Sequence, residues 1–129
     1  MDSNSIKILS IRETTFGKIS DEMSIEERFQ NATLRPILKF QNEKILHLFK
    51  NYLEKRKIAF HKLNIDEKIK IIENSVRKDK QLEILMKGLI IGLFTIEELE
   101  IFVQNSNALN KRIVSMLIER LQSQIQLFE

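Results

Sequence analysis

The segment from Pro36 to Lys57 decides the fold class, and it reads PILKFQNEKILHLFKNYLEKRK. Its apolar side chains recur at the spacing of an amphipathic helix, at Ile37, Leu38, Ile45, Leu48, Phe49, Tyr52 and Leu53. Pro36 is tolerated in a first helical turn, because the N–H that proline lacks would have no partner there. Proline disfavours helical geometry at the preceding Arg35, so the segment predicts a long helix after a break or kink near residues 32–35.

Other helices are predicted from their first turns. Three capping boxes, in which two side chains satisfy free backbone donors, occur at Ser24 and Glu27, at Asn64 and Glu67, and at Thr95 and Glu98. Asp79 can cap a further helix that ends at Gly92, since glycine tolerates the left-handed geometry of many helix ends. A long apolar period over residues 109–128 completes the set. The sequence predicts an all-α protein, a compact bundle of five to six helices in one domain spanning residues 23–129.

Residues 1–22 carry a weaker pattern. Ile6, Ile8 and Ile11 alternate irregularly with polar residues, so a short strand is possible, but a lone strand has nothing to pair with. We expect an extended or partly disordered N-terminal arm, ordered against a partner subunit.

Composition narrows the functional classes. The chain has 129 residues, about one domain, and 43% of them are apolar. It contains no cysteine, which excludes disulfides, thiolate metal sites and a cysteine nucleophile. No secretory signal is recognisable, and the longest apolar run, residues 89–94, is far shorter than the ~20 residues of a membrane span. We expect a cytoplasmic location.

Positive charge is concentrated in the middle of the chain. Residues 33–80 contain thirteen basic and six acidic residues, whereas the two flanking parts are mildly acidic. The densest basic cluster comprises Lys50, Lys55, Arg56, Lys57 and Lys62, with Tyr52 and Phe60 nearby. Cations with exposed aromatics would suit a nucleic-acid backbone and stacked bases. Cations are equally expected at a helix C-terminus, where they complement the helix dipole.

Gln41 is the odd residue of the long helix, because it falls on the apolar stripe. A buried amide must find hydrogen-bond partners. Arg35, Arg112 and Arg120 are the candidates if their helices are neighbours, which would form a polar core or line a small pocket. The alternative is an amide at the edge of the stripe, half solvated.

Gly88 and Gly92 have the spacing that lets two helices approach closely, within the protein or in a dimer. The simpler interpretation is that Gly92 ends a helix and Gly88 avoids a clash in the core.

Metal and catalytic signals are sparse. Glu43 and His47 lie four residues apart on one helix face, and His61 in the following loop could join them in a minimal metal site. The alternative is that His47 borders the apolar stripe and His61 is solvated. No Ser-His-Asp arrangement is supported, so we expect no cofactor and assign no catalytic residue.

Two stretches carry a resemblance, TLRPILKFQN at residues 33–42 and IGLFTIEE at residues 91–98. They resemble a group of short, uncharacterised bacterial proteins, some of which bear the automatic name glyoxalase, over about Ile25 to the C-terminus. The glyoxalase name would imply a metal held by His and Glu, for which Glu43, His47 and His61 are the available side chains.

Three functional hypotheses follow. The first is a non-enzymatic helical module that binds protein, most simply itself, because nearly every helix has an Ile- and Leu-rich face. The second is nucleic-acid binding through residues 50–62. The third is a metal-dependent, glyoxalase-like lyase.

Overall fold

The computed structural model describes residues 2–12 and 20–128. Its helices are α1 (Ser3–Ile11), α2 (Ile25–Phe29), α3 (Arg35–Lys55), α4 (Ile65–Lys78), α5 (Lys80–Ile91), α6 (Ile96–Gln104) and α7 (Ser106–Gln122). Short 3-10 turns cover Phe60–Lys62 and Ile125–Phe128. Over these two ranges the chain has no strand, and the all-α prediction is confirmed.

One hydrophobic core lies between the long helices. α5 packs against α3 and α4, and α7 packs against α4 and α5. The core residues with the least exposure are Leu34, Ile37, Ile45, Phe49, Ile72, Val76, Met86, Ile90, Leu109, Ile113, Leu117 and Leu121. No helix in the described part of the chain has the length and apolarity of a membrane span.

The predicted break or kink near residues 32–35 is in fact a π-helical turn, and the helical path is not broken. Residues Gln30–Leu34 form a π-helical turn that joins α2 to α3 without leaving right-handed helical geometry. Pro36 has no N–H to offer the carbonyl of Ala32 four residues earlier, and Arg12 Nη2 donates to that oxygen at 3.3 Å. The wider turn therefore accommodates the proline ring where a straight α-helix would clash with it.

Helix ends follow the predicted caps, with two exceptions. The boxes at Asn64–Glu67 and Thr95–Glu98 are reciprocal and confirmed. At Ser24 the hydroxyl accepts the Glu27 N–H at 3.1 Å, but no return bond from Glu27 is seen. Gly92 does end α5, but at φ −60° and ψ −18°, so the expected left-handed geometry is wrong.

The N-terminal segment corrects another expectation. Residues 3–11 form α1, so neither a strand nor an extended arm describes them. Asp2 caps this helix, because its carboxylate accepts the Ser5 N–H at 2.9 Å, and Ile8 is buried beneath it. Residues 13–19 of the predicted arm lie outside the described residues.

Gly88 is exposed on α5, so the interpretation that it avoids a clash in the core is wrong. A Cβ built there meets nothing within 4 Å, whereas one at Gly92 would lie 3.0 Å from the Gly88 carbonyl oxygen.

We expect Gly88→Ala to raise the free energy of unfolding by about 0.5–1 kcal/mol, because alanine loses less backbone entropy in a helix. Urea denaturation measures this, with Gly92→Ala as the crowded control, and a less stable Gly88→Ala protein would contradict it.

Candidate functional site

A groove between α3 and α7 is a large concave surface of the described chain. It has a volume of about 820 Å³ and is open to solvent. Its walls come from the first five residues of α3, the preceding π-helical turn, most of the length of α7 and the two residues that follow α7. This volume is in the range of ligand-binding pockets. We call it the α3–α7 groove.

The α3–α7 groove is strongly basic. Its cations are Arg35, Lys39, Lys111, Arg112 and Arg120, and Glu119 is the one acidic residue in its lining. The last three of these cations belong to the C-terminal third of the chain, which is acidic as a whole. The fold therefore concentrates positive charge here, beyond what the charge pattern of the sequence predicts.

Two arginines of the groove are held by neutral side chains. Arg112 Nη1 donates to the Gln30 amide oxygen, and Arg120 Nη1 donates to the Asn42 amide oxygen at 3.1 Å. A carboxylate partner would cancel the guanidinium charge, but an amide oxygen orients it and leaves the charge available. Burial lowers the pKa of Arg120, yet an arginine remains protonated at neutral pH.

An amide pair fixes the far end of the groove. Asn42 Nδ2 donates to Gln124 Oε1, and Gln124 Nε2 donates to Asn42 Oδ1, both at 2.9 Å. Gln124 Nε2 also lies 3.0 Å from the Arg120 carbonyl oxygen. Because the Asn42 amide on α3 and the Gln124 amide just after α7 hold each other, Arg120 is oriented before any ligand arrives.

The four residues predicted to form a polar core or pocket separate into two places. Arg35, Arg112 and Arg120 line the α3–α7 groove. Gln41 lies elsewhere: it is 6% exposed, and its Nε2 donates to the Leu89 carbonyl oxygen at 2.9 Å, which ties α3 to α5. Its Oε1 has no partner in the described structure. The half-solvated alternative for Gln41 is therefore wrong.

Sequence reasoning missed the amides that hold the groove, Gln30, Asn42 and Gln124. Each is a polar residue beside an apolar period, which is the expected position of a solvated side chain. Only the spatial approach of α3 and α7 turns them into partners for the arginines.

The basic segment of residues 50–62 is positively charged, but its aromatic side chains are not exposed for stacking on bases. Lys50, Lys55, Arg56, Lys57 and Lys62 are all exposed. Arg56 pairs with Asp79, and its guanidinium lies 5.1 Å from the centre of the Tyr52 ring. Phe60 is 2% exposed. The two aromatics that the nucleic-acid hypothesis needs are therefore covered or buried.

The metal-site candidates do not assemble. Glu43 and His47 are exposed on α3, and His61 is exposed in the turn that follows it. Nowhere in residues 2–12 and 20–128 do three His, Cys, Asp or Glu side chains come close enough to hold a metal ion. The glyoxalase-like hypothesis has no metal centre in this part of the chain.

A second polar cluster joins α1 to α6 through Arg12 and Glu98. Arg12 Nη1 and Nη2 donate to the two Glu98 carboxylate oxygens at 2.6 and 2.9 Å. Arg12 Nη1 also donates to the Leu93 carbonyl oxygen at 3.1 Å, and the Thr33 hydroxyl donates to Glu98 Oε2 at 2.7 Å. The Arg12 side chain is only 3% exposed, so the pair is a buried structural clamp.

The electrostatics of this clamp favour the ionised carboxylate. Burial alone would raise the pKa of Glu98, but the hydrogen bonds from Arg12, the Thr95 N–H and Thr33 outweigh it and hold the pKa below its usual value. The two stretches that carry the sequence resemblance meet here, through the contact of Thr33 with Glu98. Glu98 was identified from the sequence as a cap, but nothing in the sequence pointed to Arg12.

No protein-family model matches this chain, and no curated protein or solved structure matches it either. Two surfaces of the described chain are candidates for a functional role. One is the basic α3–α7 groove. The other is α6, on which Ile96, Leu99 and Val103 are 50%, 38% and 65% exposed.

Proposed function

We propose that this chain is a non-enzymatic helical module that binds protein and self-associates through α6. The observation that carries the proposal is that α6, with the apolar-rich sequence IEELEIFVQ, has no fully buried residue. Ile96, Leu99 and Val103 follow the i, i+3, i+7 spacing of one helix face, and that face is uncovered. Helix-in-groove recognition uses anchors of this spacing.

The opposite face of α6 anchors it to the bundle. The Phe102 ring lies 5.6 Å from the Phe94 ring, measured between their centres, and the Glu98 carboxylate is clamped by Arg12. The helix is therefore held firmly while it presents apolar side chains outward. Single exposed apolar residues are ordinary, but a stripe along an anchored helix marks an interaction surface.

The neighbouring α1 has the same character. The Ile96 N–H donates to Ser5 Oγ at 3.4 Å, so α1 lies against the start of α6. Ile6 and Leu9 of α1 are 56% and 42% exposed. Both helices thus leave apolar side chains uncovered.

Charge favours a second copy of the chain as the partner. Glu97 and Glu100 are exposed on α6 and make its outer surface acidic. The same chain carries a net charge of +3 and concentrates five cations in the α3–α7 groove. Opposite potentials on two surfaces of one chain favour association between copies.

We expect Val103→Lys to weaken self-association by tens of fold, because it places a charge on the most exposed residue of the apolar stripe. Light scattering after gel filtration, at tens of micromolar protein, reports the mass. The matched control is Ile84→Lys on α5, since Ile84 and Val103 are 67% and 65% exposed. A monomeric wild-type protein, or an equal loss in the Ile84→Lys control, would contradict the proposal.

A further inference from the structure

We infer that the α3–α7 groove is the receptor for α6 of a second copy of the chain. The inference rests on the proposed self-association and adds the surface that receives α6. Each copy would contribute an acidic, apolar helix and a basic groove.

Charge is the first argument. The groove is lined by five cations and a single carboxylate, and two of its arginines keep their charge because amides hold them. The exposed Glu97 and Glu100 lie three residues apart, so both flank the apolar stripe of α6 along one side. An anionic helix edge thus faces a pre-oriented cationic wall.

The groove also has an apolar component. Leu38, Ala108 and Met116 contribute to its lining between the cations. These side chains suit the Ile96, Leu99 and Val103 stripe better than they suit a nucleic acid, because no aromatic residue lines the groove to stack on a base. Among macromolecular ligands, an acidic amphipathic helix fits this combination best.

Length is compatible with the fit. The nine residues of α6 are about 13 Å long at the rise of an α-helix. The groove extends along α7 from Ala108 to beyond Arg120, and that span exceeds about 18 Å at the same rise. The docked helix is therefore shorter than the groove and does not extend past either end of it.

Connectivity allows the docking to be mutual. α6 ends at Gln104, α7 begins at Ser106, and Ala108 already lines the groove. The donor helix and the receptor groove are thus adjacent on one chain, so two copies related by a two-fold axis can each place α6 in the groove of the other while α6 stays clamped to its own chain. Such an arrangement closes as a dimer, whereas a one-way contact would continue into a filament or ring.

A charge-swap experiment tests the inference. One variant carries Glu97→Lys and Glu100→Lys on α6, and the other carries Arg35→Glu and Lys111→Glu in the groove. All four side chains are exposed, which keeps the cost to folding small. Each variant alone should associate about 100-fold more weakly than wild type, since like charges then oppose each other across the interface.

The equimolar mixture of the two variants is the decisive sample. In one contact, the new lysines on α6 of the first variant face the new glutamates in the groove of the second variant. In the other contact, the unchanged Glu97 and Glu100 of the second variant face the unchanged groove cations of the first. Dimer mass should return to within about tenfold of wild-type affinity by light scattering, because complementary charges are restored in both contacts. Lys50→Glu with Lys62→Glu, outside the groove, is the control and should leave the affinity unchanged.

The outcomes separate the two proposals. A monomeric wild-type chain overturns self-association and the groove assignment together. A wild-type dimer that is disrupted on α6 but not in the groove, or a mixture that stays monomeric, overturns the groove assignment and leaves self-association through α6 intact. If the groove variant dimerises normally but loses binding of a mixed oligonucleotide, the groove is a nucleic-acid site and the inference is wrong.

Discussion

Replacing Glu98 with alanine should lower the free energy of unfolding by about 3–5 kcal/mol, the usual cost of removing one partner from a buried ion pair. The Arg12 guanidinium would lose both of its short carboxylate contacts while remaining 3% exposed. Its remaining acceptors would be the carbonyl oxygens of Leu93 and Ala32, which do not balance a full charge. The capping box of α6 would be lost as well.

Urea denaturation measures this loss, and the exposed Glu54→Ala on α3 is the control, with an expected change within about 0.5 kcal/mol. Arg12→Ala should cost less than Glu98→Ala, because Glu98 would keep its bonds from Thr33 and the Thr95 N–H. Equal losses in Glu98→Ala and Glu54→Ala would show that the clamp does not stabilise the fold.

The Arg12–Glu98 clamp also makes the stability of the protein depend on pH. Because the folded pKa of Glu98 is lowered, its stabilisation is complete above the pKa of an unfolded glutamate, about 4.3, and is lost as the pH falls through the folded value. The Glu98→Ala protein lacks this contribution, so its stability should fall less steeply than that of wild type below about pH 4.

The helices after residue 23 were predictable because their signals are local. The caps at Asn64 and Thr95 use residues three apart, and the stripe of α3 repeats within a single helix. By contrast, Arg12 and Glu98 are 86 positions apart, so no window of sequence contains both. Residues so far apart in sequence meet only after the chain has folded. The fold therefore decides which polar residues become partners.

The N-terminal helix shows how a local signal can be misinterpreted. Ile6, Ile8 and Ile11 resemble the alternation of a strand, but Ser5 and Ile8 face inward while Ile6 and Ile11 remain exposed. Because the buried face includes a serine, the apolar residues alone do not show the helical periodicity. The Asp2 cap was available in the sequence and would have indicated a helix start.

The groove was partly predictable for a different reason. Gln41 on the apolar stripe indicated that α3 has polar neighbours, and this suggested the three arginines as a group. Gln41 itself bonds to α5, whereas Arg112 and Arg120 are held by Gln30 and Asn42. Amide side chains carry no charge and follow no periodic pattern in the sequence. A single sequence therefore does not identify them as hydrogen-bond partners of an arginine.

Phe49→Ala should lower the free energy of unfolding by about 3–5 kcal/mol, because it removes a fully buried ring and leaves a cavity. The Phe49 ring is 5.2 Å from that of Phe128 and 5.8 Å from that of Tyr52, between centres. Phe128 in turn lies 5.9 Å from Phe60. Phe49 therefore connects α3 directly to the C-terminal 3-10 turn and, through Phe128, to the turn at Phe60–Lys62.

The matched control is Phe40→Ala on the same helix, since Phe40 is 51% exposed and its loss should change stability by no more than about 0.5 kcal/mol. Hydrogen exchange should also show faster opening of residues 123–128 in Phe49→Ala, because their turn packs on the missing ring through Phe128. Since Gln124 in that segment holds Asn42, this loosening should weaken self-association further than the loss of stability alone explains. A Phe49→Ala protein that unfolds more easily but dimerises as wild type would show that the Asn42–Gln124 end of the groove takes no part in binding.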